Sequence, residues 1–435
     1  MKPSVVVIGA GPAGMMAACQ AALCGGKVTL VERRERPARK LLITGKGRCN
    51  LTNDCAEAEL IASIPRNGRF LYTAFSAFPP RSVMDFFERA GVPLKVERGN
   101  RVFPKTDRAV DIVDALTAAV KKAGVLLVQG RAVELRLEAL SQTLPEAADA
   151  GEKKKGPVKN CRVTGVALED GRVLSADKVL IATGGLSYPA TGSTGDGYAL
   201  AAKAGHGLVE TGPSLVPLTV HEGWCAELQG LSLKNAGLKV MEKGKKKPVY
   251  NDFGEMLFTH FGLSGPMILS ASAHLSHPED ERYTVLIDLK PALSPEQLDA
   301  RLQRDFTKYV NRDFANALED LLPRKLIPIV VRLTGLPGSL KVNQLTRDAR
   351  GRLCGLLKAL PLTVTGFRPV EEAIVTRGGV PVKEVDPRTM ASRRCENLYF
   401  AGEVLDLDAY TGGFNLQIAW STGYLAGRAM AEDKE

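Results

Sequence analysis

Six residues near the start of the chain limit what it can fold into more than any others: Gly9-Ala10-Gly11-Pro12-Ala13-Gly14. They follow the apolar run VVVI (5–8) and open an Ala-rich stretch, 13–24, whose composition predicts a helix. KVTLV (27–31) then reads as a second strand. In such a strand–turn–helix–strand unit the first glycine permits a tight turn and the second lets backbone approach a pyrophosphate. The third lets helix pack closely on strand. The helix N-terminus favours the phosphate charge. Glu32 ends the second strand, 18 residues after Gly14, where a carboxylate accepts from adenosine ribose hydroxyls. With every part in register, the unit predicts dinucleotide binding through Gly9, Ala10, Gly11, Pro12, Ala13, Gly14 and Glu32.

The chain of 435 residues is long for one core and suggests two or three domains. Its 45% hydrophobic and 24% charged residues are those of a globular protein and argue against disorder. The uncharged stretch Ser4–Gly26 is long enough to cross a bilayer. Its glycines and Pro12 suit a soluble turn better than a lipid-embedded helix, so no membrane partner and a cytoplasmic location are expected. The eight cysteines form no CxxC pair, which fits a reducing compartment. His274 and His277 form an HxxH without neighbouring ligands, so no metal is expected. The net charge of +10 favours anionic partners. Two lysine runs, Lys153–Lys155 and Lys245–Lys247, account for part of it and read as solvated hairpin tips.

Beyond the first unit, 82–91 and 107–123 read as amphipathic helices and 125–128 as a strand. The segment 140–160 reads as a loop joining two strands of a hairpin, VLIAT (179–183) as a buried strand, and 193–205 as a helix. From about 207 to 290, short alternating strands with Gly and Asn turns suggest an antiparallel β domain. Helical periodicity returns at 294–309, 311–321, 324–334 and 343–359. Strands resume at 362–366, 372–376 and 397–402, and a last helix covers 415–431. The expected fold is α/β: a discontinuous Rossmann-like domain of residues 1–206 and 363–435. It is interrupted by an antiparallel β domain (207–290 and 335–362) and a small helical subdomain (291–334).

Four further stretches carry chemistry. KLLITGKGRCNLTN (40–53) combines Gly45, Gly47, Arg48 and Asn50, whose backbone suits a flat ring or phosphate while Arg48 supplies charge, and Cys49 is a further candidate contact. IATGG (181–185) places Thr183, Gly184 and Gly185 at a strand end. TGSTGDGYALA (191–201) puts Asp196 at a helix start. NLYFAGEVLDLDAYTGGFNLQIAW (397–420) joins a strand, Gly402-Glu403, a loop through Gly413 and a helix beginning near Asn415 and Leu416. A helix N-terminus aimed at the N1/O2 edge of a flavin would stabilise the negative charge of the reduced ring. Elements so spread along the chain suit one long ligand, FAD, better than NAD alone. Arg33 and Val133 are further candidate contacts.

These segments, with RVFPKTDRA (101–109) and FTHFGLSGPMIL (258–269), resemble the BaiN/RdsA family of NAD(P)/FAD-dependent oxidoreductases, known also as aminoacetone-oxidase-like flavoproteins. GRCN and TGGFNLQ are specific to the resemblance, which spans nearly the whole chain. It implies a discontinuous FAD domain with an inserted β domain and a helical cap. It also implies FAD contacts at Gly9 to Gly14, Glu32, the Lys40 region, the Asp196 loop, Gly402-Glu403 and Asn415-Leu416. Only one dinucleotide fingerprint is present, so either NAD(P)H docks transiently at the flavin as reductant, without a second domain, or the reductant differs.

A flavin that reduces a C=C bond delivers hydride, and an acid must protonate the neighbouring carbon. Cys49, its pKa lowered by Arg48, and Tyr410 are the candidates, with Asp408 a further donor. The expected activity is NAD(P)H-driven reduction of an activated C=C bond. The resemblance and the basic charge point to uridine in ribosomal RNA as substrate. Alternatives are a reductase or oxidase of a small molecule, such as a steroid-like enone or amino-ketone, and a non-catalytic flavin carrier.

Overall fold

The structure, a computed structural model, describes residues 2–140 and 159–432. Two compact units divide the chain: Met1–Ser214 with Val370–Glu435, and Leu215–Pro369.

The first unit is built on a five-stranded parallel sheet. Strand β1 (Ser4–Ile8) lies at its centre, α1 (Pro12–Leu23) follows, and β2 (Lys27–Glu32) pairs beside β1. Leu126–Gln129 extends the sheet beyond β2, while Lys178–Ile181 and then Leu398–Phe400 extend it on the other side of β1. The central strands are almost continuously apolar because a parallel sheet is covered on both faces. Helix α1 is likewise buried on most of its surface, as its small residues allow. The C-terminal helix Phe414–Ala431 packs along it, and Trp420 of that helix is fully buried, donating from Nε1 to the Leu51 carbonyl at 3.0 Å.

The second unit is a closed antiparallel barrel. Its strands run in the order Leu218–Val220, Gly262–Ser264, Tyr250–Thr259, Ser232–Glu242, Tyr283–Asp288 and Leu360–Phe367, the last pairing back to the first. Closure removes the exposed sheet edges that an open β domain would carry. Helices Pro295–Lys308, Ile327–Thr334 and Arg347–Lys358 add their apolar faces to the same core, Leu298, Leu302, Leu353 and Leu357 among them. The first is started by Ser294 and Gln297 in a reciprocal capping box.

Several extents differ from the sequence reading. The units divide at 214/215 and 369/370 rather than at 206/207 and 362/363. Val209–Ser214 belongs with the first unit because it pairs with Val375–Gly379, and Leu360–Phe367 belongs with the barrel because it closes it. Residues 335–362 hold the helix Arg347–Lys358 and only the start of the strand Leu360–Phe367, and the helices share one core with the barrel instead of forming a separate body. The stretch 311–321 is helical only at Phe314–Ala317, because Asp313 is extended and bridges to Lys341. Ala132–Ala139 and Cys161–Leu168 pair antiparallel as the two strands of a hairpin. The run Lys153–Lys155 between them lies outside the described residues. Lys245–Lys247 sit in the exposed turn between Ser232–Glu242 and Tyr250–Thr259.

Candidate functional site

The turn 9–14 opens at the C-terminal end of β1, where ligands of open parallel sheets bind. Two of its glycines are demanded by the protein. Gly9 has φ 100° and a Cβ there would lie 2.6 Å from the Ala182 carbonyl oxygen; one on Gly14 would lie 1.9 Å from that of Gly9. Gly11 is different. Its backbone is ordinary, at φ −81°, and no described atom comes within 4 Å of where its Cβ would be. Neither strain nor packing explains glycine there; close approach of a ligand does. Pro12 takes the first turn of α1, where its missing N–H costs nothing, and Ala13 backs onto the C-terminal helix at Gly423.

Glu32, at the end of β2, holds this turn. Its carboxylate accepts from the Ala10 N–H at 2.8 Å and the Arg34 N–H at 2.9 Å. Beside it Asp196, in the first turn of Asp196–Lys203, takes both arms of Arg131 at 3.0 Å and Arg33 at 3.1 Å. The hydrogen bonds from Arg131, and then the Arg33 charge, hold the Asp196 carboxyl below the usual range. Val133 follows two residues after Arg131, partly exposed. The structure therefore gathers Glu32, Arg33, Asp196 and the 131–133 segment at one end of the sheet. Arg131 escaped the sequence reading because nothing local marks it; the fork it offers Asp196 is a tertiary fact.

A second cluster forms around Glu403. Lys40 Nζ donates to Glu403 Oε2 and to Ser187 Oγ, both at 2.7 Å. Glu403 Oε1 accepts from the Thr376 N–H at 2.9 Å and from Ser187 Oγ at 3.1 Å. Gly185 is pinned here, since a Cβ would lie 2.3 Å from Thr376 Oγ1, with Thr183 and Gly184 just before it. The Gly402 N–H donates to Thr422 of the C-terminal helix at 3.0 Å. Ser187 and Thr376 also went unread, although each lies one residue removed from a glycine pair (Gly184-Gly185 and Gly378-Gly379) that could have flagged it. Thr183 Oγ1 and Asn50 Oδ1 are buried without a hydrogen-bond partner among the described residues. Buried polar atoms normally find partners, so these two fit a bound polar ligand.

The glycine-rich loop departs from expectation at two residues. Arg48 does not project as a free charge: its guanidinium bonds to Glu97 at 2.5 Å and Asp107 at 2.6 Å and lies 4.1 Å from the Phe103 ring centre. Nor does it acidify Cys49. That side chain is fully buried, and burial pushes its thiol up to about 12, a hydrogen bond with Thr44 offsetting only part. The reason is directional, since Cys49 has φ 60° and turns into the core while Arg48 turns toward the acids. Gly47 precedes them, itself half-buried, at the end of the tight turn Thr44–Gly47, whose Gly45 and Lys46 are exposed and left-handed.

At the start of the C-terminal helix, Gly413 has φ 99° and a Cβ would lie 2.4 Å from the Thr52 carbonyl. Asn415 closes the preceding loop, accepting from the Ala409 N–H at 2.9 Å and donating to the Ala409 oxygen at 2.7 Å. Leu416 is half-buried. Tyr410 is tied by its backbone N–H to Ser63 at 2.9 Å, with its side chain half-buried. Asp408 is 1% exposed, paired with Arg66 at 2.7 Å and Ser214 at 2.6 Å. Among the described residues no three His, Cys, Asp or Glu side chains group to hold a metal, and no helix is long and apolar enough to cross a membrane.

A dinucleotide turn on a parallel sheet, completed by a C-terminal strand and helix, defines a Rossmann-type dinucleotide-binding domain. The chain belongs to the HI0933-like family, whose model, described as the HI0933-like protein Rossmann domain, matches residues 3–429. Two relatives are similar along their whole length. A 3-dehydro-bile acid delta(4,6)-reductase of Clostridium scindens is 31% identical, covering 98% of each chain. A ribosomal RNA dihydrouridine synthase of Escherichia coli is 32% identical, covering 98% of this chain and 97% of the other. Among solved structures, the 3-ketosteroid delta1-dehydrogenase of Sterolibacterium denitrificans shares the fold, with a TM-score of 0.52, 14% identity and 99% of each chain covered.

Proposed function

We propose that this protein uses FAD, reduced by NAD(P)H, to saturate a carbon–carbon double bond conjugated to a carbonyl, and that its substrate is uridine in ribosomal RNA. One observation carries the reaction class. Two relatives of nearly equal similarity bear names for unrelated substrates, a bile acid and an RNA base, yet both names describe saturation of a ring double bond. What such relatives share is the chemistry, and what differs is the substrate. The net charge of +10, positive in both units, supports the polyanion.

In this reading the open space at Gly11 and the N–H groups of α1 receive the pyrophosphate of FAD. Glu32 accepts from the ribose hydroxyls, and Arg33, Val133 and Asp196 form the wall beside it. Lys40, the backbone of Gly47 to Asn50, Thr183 to Gly185, Gly402-Glu403 and Gly413 to Leu416 face the flavin end. Arg48 and Cys49 contribute backbone there, since their side chains are engaged elsewhere. The bound flavin supplies a hydride for the carbon remote from the carbonyl. The N-terminus of Phe414–Ala431 would favour the negative charge that the flavin carries in its reduced form, before the hydride leaves it.

The test has two arms. Anaerobic mixing with NADPH or NADH should bleach the flavin, and an acceptor should restore it. Deleting the gene should remove dihydrouridine from one ribosomal RNA position by mass spectrometry, and purified protein with NADPH should put it back. An unchanged modification map, with flavin reoxidised by a steroid-like enone, would move the substrate to the small-molecule class, which the bile-acid relative favours.

A further inference from the structure

Two free cysteines far apart in sequence face each other in the first unit. Cys161 opens the hairpin strand Cys161–Leu168, and Cys395 opens the short strand Cys395–Glu396, which pairs parallel beside it. The register sets Cys161 opposite Cys395 and Arg162 opposite Glu396. Neighbouring strands run about 4.8 Å apart, and opposite residues of a parallel pair point to the same face. That separation falls within the Cα–Cα range of about 4.4–6.8 Å that a disulfide spans. The two thiols hydrogen-bond to each other.

The register is pinned on both sides of the pair. Before it, the Asn160 N–H donates to the Arg394 oxygen at 3.2 Å; after it, Arg162 and Glu396 form an ion pair at 2.8 Å. The Cys395 N–H donates to Ser392 Oγ at 2.8 Å. Ser392 is itself anchored to His206 at 2.7 Å, and the other ring nitrogen of His206 meets Glu384 at 3.1 Å. All three of these side chains are buried. The thiols therefore meet with little conformational freedom left to lose. Exposure then divides their roles. Cys395 is fully buried, whereas Cys161 is half-buried, its Sγ 3.9 Å from the Ala204 oxygen. Burial, and then contact with the Cys161 thiol, push the Cys395 thiol above its usual range; the Val163 backbone and the Lys159 charge oppose this only in part. An oxidant arriving from solvent meets Cys161 first.

We propose that Cys161 and Cys395 are a peroxide-sensitive pair that closes to a reversible disulfide and braces the strand leading to Glu403. The oxidant is hydrogen peroxide. The Cys161 sulfur attacks one peroxide oxygen, the O–O bond breaks, and the departing hydroxide takes the thiol proton as water, leaving a sulfenic acid. The Cys395 sulfur then attacks that of Cys161, the S–O bond breaks, and the second hydroxide leaves as water with the Cys395 proton. Two thiols are oxidised to one disulfide while peroxide is reduced to two waters. From Cys395 the chain runs through the sheet strand Leu398–Phe400 to Glu403, which holds Lys40. The new bond ties that path to the hairpin and restricts the unfolded chain between the two cysteines. None of this depends on the substrate of the flavin.

The experiment treats the FAD-loaded protein with one equivalent of hydrogen peroxide, blocks the remaining thiols in denaturant with N-ethylmaleimide, and maps the peptides by mass spectrometry. Wild type should give a peptide joining Cys161 to Cys395, lighter by two hydrogens than its halves together, which dithiothreitol separates. Its melting temperature should rise on oxidation and fall back on reduction. In Cys395→Ser the reaction should stop at a Cys161 sulfenic acid that dimedone traps. In Cys161→Ser oxidation should leave the melting temperature where it was. A wild-type map without the cross-link, a cross-link that dithiothreitol does not open, or oxidised wild type melting no higher than reduced overturns the proposal. These readings need no variant, so a folding defect in either serine variant leaves the test decisive.

Discussion

The Cβ that Gly423 lacks would lie 2.3 Å from the carbonyl oxygen of Ala13. One turn further, a Cβ on Gly427 would lie 2.5 Å from the Ala17 oxygen, so the C-terminal helix and α1 meet backbone to backbone. Gly423→Ala should therefore force the helices apart and cost about 1–3 kcal/mol. Denaturant unfolding checks this, and FAD retention should fall with it because Ala13 belongs to the dinucleotide turn.

Gly11 and Gly14 should separate folding from binding. Gly11→Ala leaves backbone and packing intact, so stability without flavin should stay within about 0.5 kcal/mol while FAD affinity drops at least tenfold. Gly14→Ala should yield little folded protein. Melting curves and flavin titration of the two variants settle the contrast. A Gly11→Ala variant that binds FAD normally would remove the argument that a ligand requires this glycine.

Cys49 should be inert. Its thiol, pushed up to about 12 by burial, stays protonated through neutral pH, so a thiol reagent at pH 8 should label exposed Cys24 and spare Cys49 until the protein unfolds. The sign for stability follows from the raised pKa. The folded state holds a proton that the unfolded thiol, with a pKa of about 8.5, gives up. The contribution is therefore complete below that value and is lost as pH rises toward about 12. Cys49→Ala should show a shallower alkaline loss of stability than wild type.

If the substrate is RNA, binding must be salt-dependent, weakening by about 0.7 log units per tenfold rise in salt for each phosphate contacted on a single strand. Turnover should also need the uracil unstacked from its neighbours. Filter binding across a salt series, with paired and looped oligonucleotides, measures both. A flat salt response would leave the flavin chemistry standing and remove the RNA.

The sequence was legible where information is local. Val5–Ile8, the glycines after it and Glu32 form one short unit whose spacing alone dictates its shape. The alternating strands announced an antiparallel body. What could not be read were pairings set by distant chain. Val209–Ser214 looks like its barrel neighbours until Val375–Gly379 claims it. Arg48 looks like a free cation until Glu97 and Asp107 arrive, and Cys49 looks activated until its left-handed backbone points it inward. Lys40, in the short helix Arg39–Ile43, and Glu403, just past the strand Leu398–Phe400, are far apart in sequence, so their ion pair has no local trace.

The packing of Phe414–Ala431 against α1 also sets a timetable. During synthesis the dinucleotide turn leaves the ribosome early, but the strand and helix that complete its sheet and cover its helix follow only after the whole barrel has emerged. The barrel, encoded without interruption, has all its partners in hand sooner. The nascent chain thus carries bare the face of α1 that the C-terminal helix will cover until residues 414 onward are made, although β1, β2 and the helix Ala109–Lys122 can pack against its other sides long before.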